Sequence, residues 1–180
     1  AARAVQGRRR TEPGAGPGGV VDGSGEGGGV GKIIRQSGRT APGKLVEART
    51  GAWNLTQGKA QTGGQAKGFD WYLGLTAGNR LNYQVGGGAY ESNTAWTREG
   101  GTGALGWQID DDNRVDLTIR TDGVYDAGFR GSASNIFAFD TRYNQSIDFT
   151  YNGKTPDGRG GVMFQGYYVQ DVDDLNNPPL

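Results

Sequence analysis

The chain has 180 residues, of which 35 are glycine and only 34% hydrophobic, so it fits one ordinary domain but argues against a large solid core. Histidine and cysteine are absent, which excludes Ser-His-Asp and Cys-His catalysis, disulfide frameworks and the usual zinc ligands within this chain. The 19 basic and 19 acidic side chains cancel, and with them goes the electrostatic case for nucleic acid.

Aromatics at 10% argue against a purely disordered chain. No apolar run approaches the roughly 18 residues of a membrane helix, and no secretion signal is recognisable at the first residues. The charge balance hides two halves. Residues 1–44 carry 8 basic and 3 acidic side chains (8 − 3 = +5), and residues 45–180 carry 11 and 16 (11 − 16 = −5).

Ala1 to Ser37 reads as glycine-rich turns with two short strands at most, around Val20-Val21 and from Val30 to Arg35. The Arg8-Arg9-Arg10 run fits a solvated surface better than a phosphate patch. Leu45 to Trp53 reads as extended, followed by turn residues Asn54 to Gly58 and a small-residue strand from Lys59 to Ala66. Trp71, Leu73, Leu75 and Ala77 alternate with Tyr72, Gly74, Thr76 and Gly78, the period of a half-buried strand. Leu105, Trp107 and Ile109 repeat the pattern, as do Val115, Leu117 and Ile119 after the acidic turn Asp110 to Asn113. Ile147, Phe149 and Tyr151 follow suit, and a turn-rich stretch from Asn152 to Gly160 leads into Val162, Phe164 and Tyr168. No segment shows a 3.6-residue apolar period. The expectation is an all-β, antiparallel fold of about seven strands.

Two features point beyond a soluble sandwich. Arg114, Asp116 and Arg120 share one strand face, and glycines 74, 78, 103 and 106 lie inside strands, where glycine is normally weakening unless close approach is needed. A transmembrane barrel with an apolar band outside and a polar lumen accommodates both. Arg114 to Val124 and Arg142 to Tyr151 supply the roughly 9 to 11 residues that a spanning strand needs. The links Ala66 to Phe69 and Asp110 to Asn113 are short, whereas Asn82 to Arg98 and Tyr125 to Phe139 are long. Short turns facing the periplasm and long loops facing outside is the outer-membrane arrangement.

The long loops hold the candidate ligand-binding residues Tyr90, Trp96, Tyr125 and Phe129, since aromatics offer stacking area at low entropic cost. The competing reading places such aromatics in the interfacial girdle of a barrel.

Residues 16–35 carry a more specific pattern: Gly16-Pro17, then Val20-Val21, then Gly23-Ser24-Gly25, then Gly28-Gly29-Val30 leading into Ile33-Ile34. This resembles the end of the plug domain in TonB-dependent outer-membrane receptors, with Arg10 and Glu12 as the basic-acidic pair before the Gly-Pro. The resemblance implies a plug end at residues 1–42, with Gly16, Pro17, Gly23, Gly25, Gly28 and Gly29 as structural motif residues, and the first part of a transmembrane β-barrel at residues 43–180. It also implies a fragment of a longer receptor, because such barrels have about 22 strands. The implied function is energy-coupled uptake of a scarce solute such as a ferric siderophore across the outer membrane of a Gram-negative bacterium. The implied partners are the inner-membrane TonB complex, acting through parts of the chain outside this sequence, and outer-membrane lipid.

Rival motifs are weaker. Gly23-Ser24-Gly25-Glu26-Gly27-Gly28 satisfies GxGxxG but lacks the strand before it and the helix after it. A P-loop ending at Gly31-Lys32 fails, because Glu26 and Ile33 occupy required positions. Asp110-Asp111-Asp112 lacks the spacing and glycine of a calcium loop, and Asp171, Asp173 and Asp174 are no better. Nothing calls for a cofactor or for enzymatic activity. The alternatives are a soluble carbohydrate-binding β-sandwich using Tyr90 and Trp96, and a small structural or adhesive outer-membrane barrel.

Overall fold

The computed structural model describes residues 8–14, 30–128, 138–155 and 157–176. The motif residues Gly16, Pro17, Gly23, Gly25, Gly28 and Gly29 lie outside these, as do Val20-Val21 and Phe129. The chain divides into two compact units, Ala1–Gln36 and Ser37–Leu180.

In the first unit, β1 (Arg8–Gly14) pairs antiparallel with β2 (Val30–Arg35), from Gly14 opposite Val30 to Arg8 opposite Arg35. The sequence reading assigned β2 and missed β1. Arg-Arg-Arg-Thr-Glu-Pro-Gly has no apolar alternation to mark it as a strand, and it is recognised by its backbone pairing with β2.

The second unit is one sheet of seven strands: β3 (Gly43–Gly51), β4 (Leu55–Ala66), β5 (Phe69–Arg80), β6 (Trp96–Gln108), β7 (Arg114–Gly128), β8 (Phe139–Lys154) and β9 (Gly161–Asn176). Each strand pairs antiparallel with its sequence neighbour, and among the described residues there is no helix. The all-β, antiparallel, seven-stranded expectation is therefore met. Among the described residues the sheet is open, with β3 and β9 each paired along one edge.

Turn chemistry fixes the register. Lys67 and Gly68, with φ of 49° and 84°, form a two-residue hairpin between β4 and β5, the positive-φ turn that matches strand twist. The β3–β4 turn is Ala52 to Asn54, with Trp53 and Asn54 at φ 57° and 59°. This is earlier and tighter than the expected turn at Asn54 to Gly58. Thr56, Gln57 and Gly58 look like turn residues but are the start of a strand, because one face of this sheet accepts polar and small side chains. At the β6–β7 turn the Asp110 carboxylate accepts from the Asp112 amide at 2.9 Å and from Asn113 Nδ2 at 2.8 Å. The connections after β4, β6 and β8 lie at one end of the sheet, and the longer ones after β5 and β7 at the other. The tight β3–β4 turn is the exception at the long-loop end.

Candidate functional site

Strand alternation sorts the side chains into two faces, and their burial is the reverse of a water-soluble sheet. On β5, Trp71, Leu73 and Leu75 are exposed, while the alternating Asp70 and Tyr72 retain 3% and 2% exposure. On β6, Leu105 is 60% exposed beside buried Thr102 and Ala104. On β8, Ile147 and Phe149 are exposed and Ser146 and Asp148 buried. One face is thus apolar and open, the other polar and self-covered.

The apolar stripe does not run level with the paired residues. The row Val46–Ala60–Leu75–Gly101–Thr121–Gln145–Gln170 begins apolar on β3 and ends polar on β9. The row Lys44–Thr62–Leu73–Gly103–Ile119–Ile147–Tyr168 does the opposite. From β3 to β9 the stripe slides towards the short-turn end.

Ion pairs line the polar face from one end to the other. At the short-turn end Arg114 Nη2 donates to Asp70 at 2.8 Å and to Asp116 at 2.5 Å, while Arg114 Nε reaches Asp116 at 2.9 Å. Arg39 Nε approaches Asp70 at 3.2 Å, and Arg39 Nη2 donates to Gln108 at 3.1 Å. Gly106 makes room for this cluster, since a Cβ there would lie 2.1 Å from Arg114 Nη2 and 2.7 Å from Asp70 Oδ2. Further along, Arg120 donates to Asp148 at 2.7 Å, and Arg98 grips Asp122 through two bonds of 2.6 and 3.2 Å. Arg142 lies between Asp140 and Asp173, at 2.6 and 3.2 Å. Each carboxylate that leaves water on this face therefore has a cation beside it, as the cost of a buried lone charge requires. The shared face expected for Arg114, Asp116 and Arg120 is present.

The long-loop end gathers a different set. The Arg80 guanidinium lies over the Tyr83 ring at 5.6 Å and the Trp96 ring at 5.9 Å, both within cation–π range. Trp53 meets Tyr83 edge to face at 5.9 Å between centroids. Arg80 Nη2 donates to the Thr94 carbonyl at 3.1 Å, and among the described residues no carboxylate pairs with Arg80. A cation cushioned by aromatic faces, with no acid beside it among the described residues, is suited to an anionic or π-rich partner.

The candidate residues do not all converge. Trp96 is the first residue of β6 and shares the polar face with Arg80. Tyr125 lies within β7 opposite Thr97, on the apolar face, its hydroxyl over Gly123. Both belong to strands that extend further than the apolar alternation suggested. Tyr90 is 67% exposed at the neck of a small tip hairpin, bridged to Gln84. Tyr83 lies in the same long loop as the candidate Tyr90, whereas sequence reasoning missed Arg80 and Trp53. An arginine at the end of an alternating strand, followed by aromatics, was the available signal. The Asp110 carboxylate is engaged within its own turn, and among the described residues no group of three or more metal-ligating side chains is found.

Comparisons with family models, with curated proteins and with solved structures match nothing to this chain.

Proposed function

We propose that residues 43–180 form part of the wall of an outer-membrane β-barrel, and that the chain serves in a plugged, energy-coupled receptor that takes up a scarce solute such as a ferric siderophore. The observation that carries the barrel reading is the reversed burial, with Leu73, Leu75, Leu105, Ile119, Ile147 and Phe149 exposed while Asp70, Ser146 and Asp148 are buried. A contiguous apolar surface of this kind marks a membrane or protein interface, and a β-barrel wall presents it to lipid with polar side chains in the lumen. A soluble sandwich reads the other way, because its two sheets bury their apolar faces against each other. The free edges of β3 and β9 call for further strands, since unpaired backbone groups are not tolerated in hydrocarbon.

The plug and its coupling to an inner-membrane TonB complex rest on the Gly16-Pro17, Gly23-Ser24-Gly25 and Gly28-Gly29 pattern. In this reading Arg80 and Trp96 meet the solute at the mouth, Tyr90 meets it from the tip hairpin, and Tyr125 stands in the interfacial girdle. Blotting fractionated source cells with an antibody against residues 140–170 tests the proposal. The expected band lies in the outer membrane and is several times larger than this chain. A soluble band of 19.0 kDa overturns it.

A further inference from the structure

The connection between β5 and β6 is long but not loosely built. Asn82 Oδ1 accepts from the amides of Thr94 and Ala95 at 2.8 and 2.9 Å. The Thr94 hydroxyl accepts from the Tyr83 amide at 3.1 Å and donates to the Glu91 carbonyl at 2.9 Å. Thr94 itself is 6% exposed. From this hub a tip hairpin projects, closed by Glu91 N to Tyr83 O at 2.8 Å and Val85 N to Ala89 O at 2.9 Å. Gly87 and Gly88 at φ 99° and 87° turn its end.

The hub is also tied to the facing ends of β7 and β8. Asn93 Nδ2 donates to the Ala138 carbonyl at 2.6 Å, and the Gly128 amide donates to the Ala95 carbonyl at 3.0 Å. Ala138 is 2% exposed, so its carbonyl has little access to water. Gly128 sits so close that a Cβ there would lie 2.0 Å from the Asn93 carbonyl oxygen. Asn93 holds φ 62°, a conformation that asparagine tolerates better than most side chains.

We propose that Asn93 and Gly128 form a latch that fastens the β5–β6 connection to the ends of β7 and β8. The hub, its tip hairpin and those strand ends then open and close as one body. A displacement of the tip hairpin at Tyr90 is carried to the β7–β8 side through this latch. The latch stands on the loop geometry alone and is independent of the receptor reading.

Hydrogen exchange on the full chain tests it without reference to transport. In the unaltered protein the amides of Thr94, Ala95 and Gly128 are expected to exchange through one shared opening, with the same dependence on denaturant. Asn93→Asp keeps the side-chain shape and removes the donor. It is expected to speed exchange at all three amides about tenfold, given the usual worth of a hydrogen bond, while the Leu75 amide in mid-strand β5 stays unchanged. Gly128→Ala is expected to do the same by removing the seat. Separate openings in the unaltered protein overturn the proposal even where a variant fails to fold. So does an Asn93→Asp effect confined to the β5–β6 connection.

Discussion

Gly106 and Gly103 lie three residues apart on β6, one under the ion cluster and one on the open apolar face, and substituting each by alanine separates what the two faces require. A Cβ at Gly106 would stand 2.1 Å from Arg114 Nη2, 2.7 Å from Asp70 Oδ2 and 2.8 Å from Asp116 Oδ1. Arg114 must retreat by more than an ångström, beyond the tolerance of its bonds to Asp70 and Asp116. Among the described residues Asp70, 3% exposed, then keeps Arg39 alone. Removing one partner of a buried pair costs about 3–5 kcal/mol. Here Arg114 is displaced rather than deleted and Arg39 remains, so Gly106→Ala is expected to cost about 2–3 kcal/mol. At Gly103 nothing lies within 4 Å of the added Cβ, and Gly103→Ala is expected to be neutral or to gain about 0.5 kcal/mol from reduced unfolded-state entropy. Urea unfolding followed by tryptophan fluorescence in the same detergent or lipid for both variants measures the gap. Equal midpoints would refute the claim that Gly106 exists to seat the Asp70–Arg114–Asp116 cluster. In a Gly106→Ala, Arg114→Gln double variant the two costs are expected to overlap rather than add, because both act on one cluster.

Two further outcomes follow from the turns. Gly68 holds φ 84° and an added Cβ would lie 3.0 Å from the Gln108 carbonyl oxygen, so Gly68→Ala is expected to cost about 1–3 kcal/mol and Lys67→Asn to be neutral or mildly stabilising in the same unfolding assay. The Asp110 carboxyl is held below the ordinary carboxylate range by the Asp112 amide and the Asn113 side chain, and that of Asp157 by the Thr155 hydroxyl and the Arg159 amide. A carboxyl depressed in the folded state contributes its stability above its unfolded value and loses it as pH falls through the folded one. Both turns are therefore expected to be intact at neutral pH and to loosen only below about pH 4, read as faster exchange of the Asp112 and Arg159 amides relative to mid-strand amides. Asp110→Asn should remove the pH dependence at Asp112.

The elements legible in the sequence are those whose apolar side chains alternate, such as Trp71-Leu73-Leu75 and Ile147-Phe149-Tyr151. Strand extents were less legible. Leu55 to Gly58 and Trp96 to Gly100 combine threonine, glycine and charge, which reads as turn or loop when a dry core is assumed and as strand when one face is polar. β1 carries no periodic signal at all. The polar-face pairs were out of reach for a different reason. Asp70 and Arg114 meet because the long β5–β6 connection and the β6–β7 turn set the registers of β5, β6 and β7, and shifting either by one residue would put one partner on the opposite face. The Asn82–Thr94 hub likewise depends on how a loop folds back on itself, which no spacing rule encodes. Arg80 was visible as a residue but not as a cation without a carboxylate partner among the described residues, a property that exists only once its neighbours are known.

The slope of the apolar stripe converts into a tilt. On β3 its lower border falls between Lys44 and Val46, whereas on β9 apolar Val162 and Phe164 lie well below that row. Its upper border falls between Ala77 and Asn79 on β5 and between Ile147 and Gln145 on β8. Both borders descend by about one residue per strand step. A rise of about 3.3 Å per residue against a strand spacing of about 4.8 Å gives a tilt of about 35°. On β5 the stripe runs from Phe69 to Ala77, eight steps or about 26 Å along the strand, which projects to about 22 Å at that tilt. A barrel wall has strands tilted by about 35–45° and an apolar band about 25 Å tall. A soluble sheet has no reason to carry a border at this angle. Polarised infrared dichroism of the native protein in oriented bilayers is expected to give strands tilted about 35–45° from the membrane normal. Strands lying in the membrane plane, or showing no orientation, would leave the sloping stripe without a bilayer to explain it.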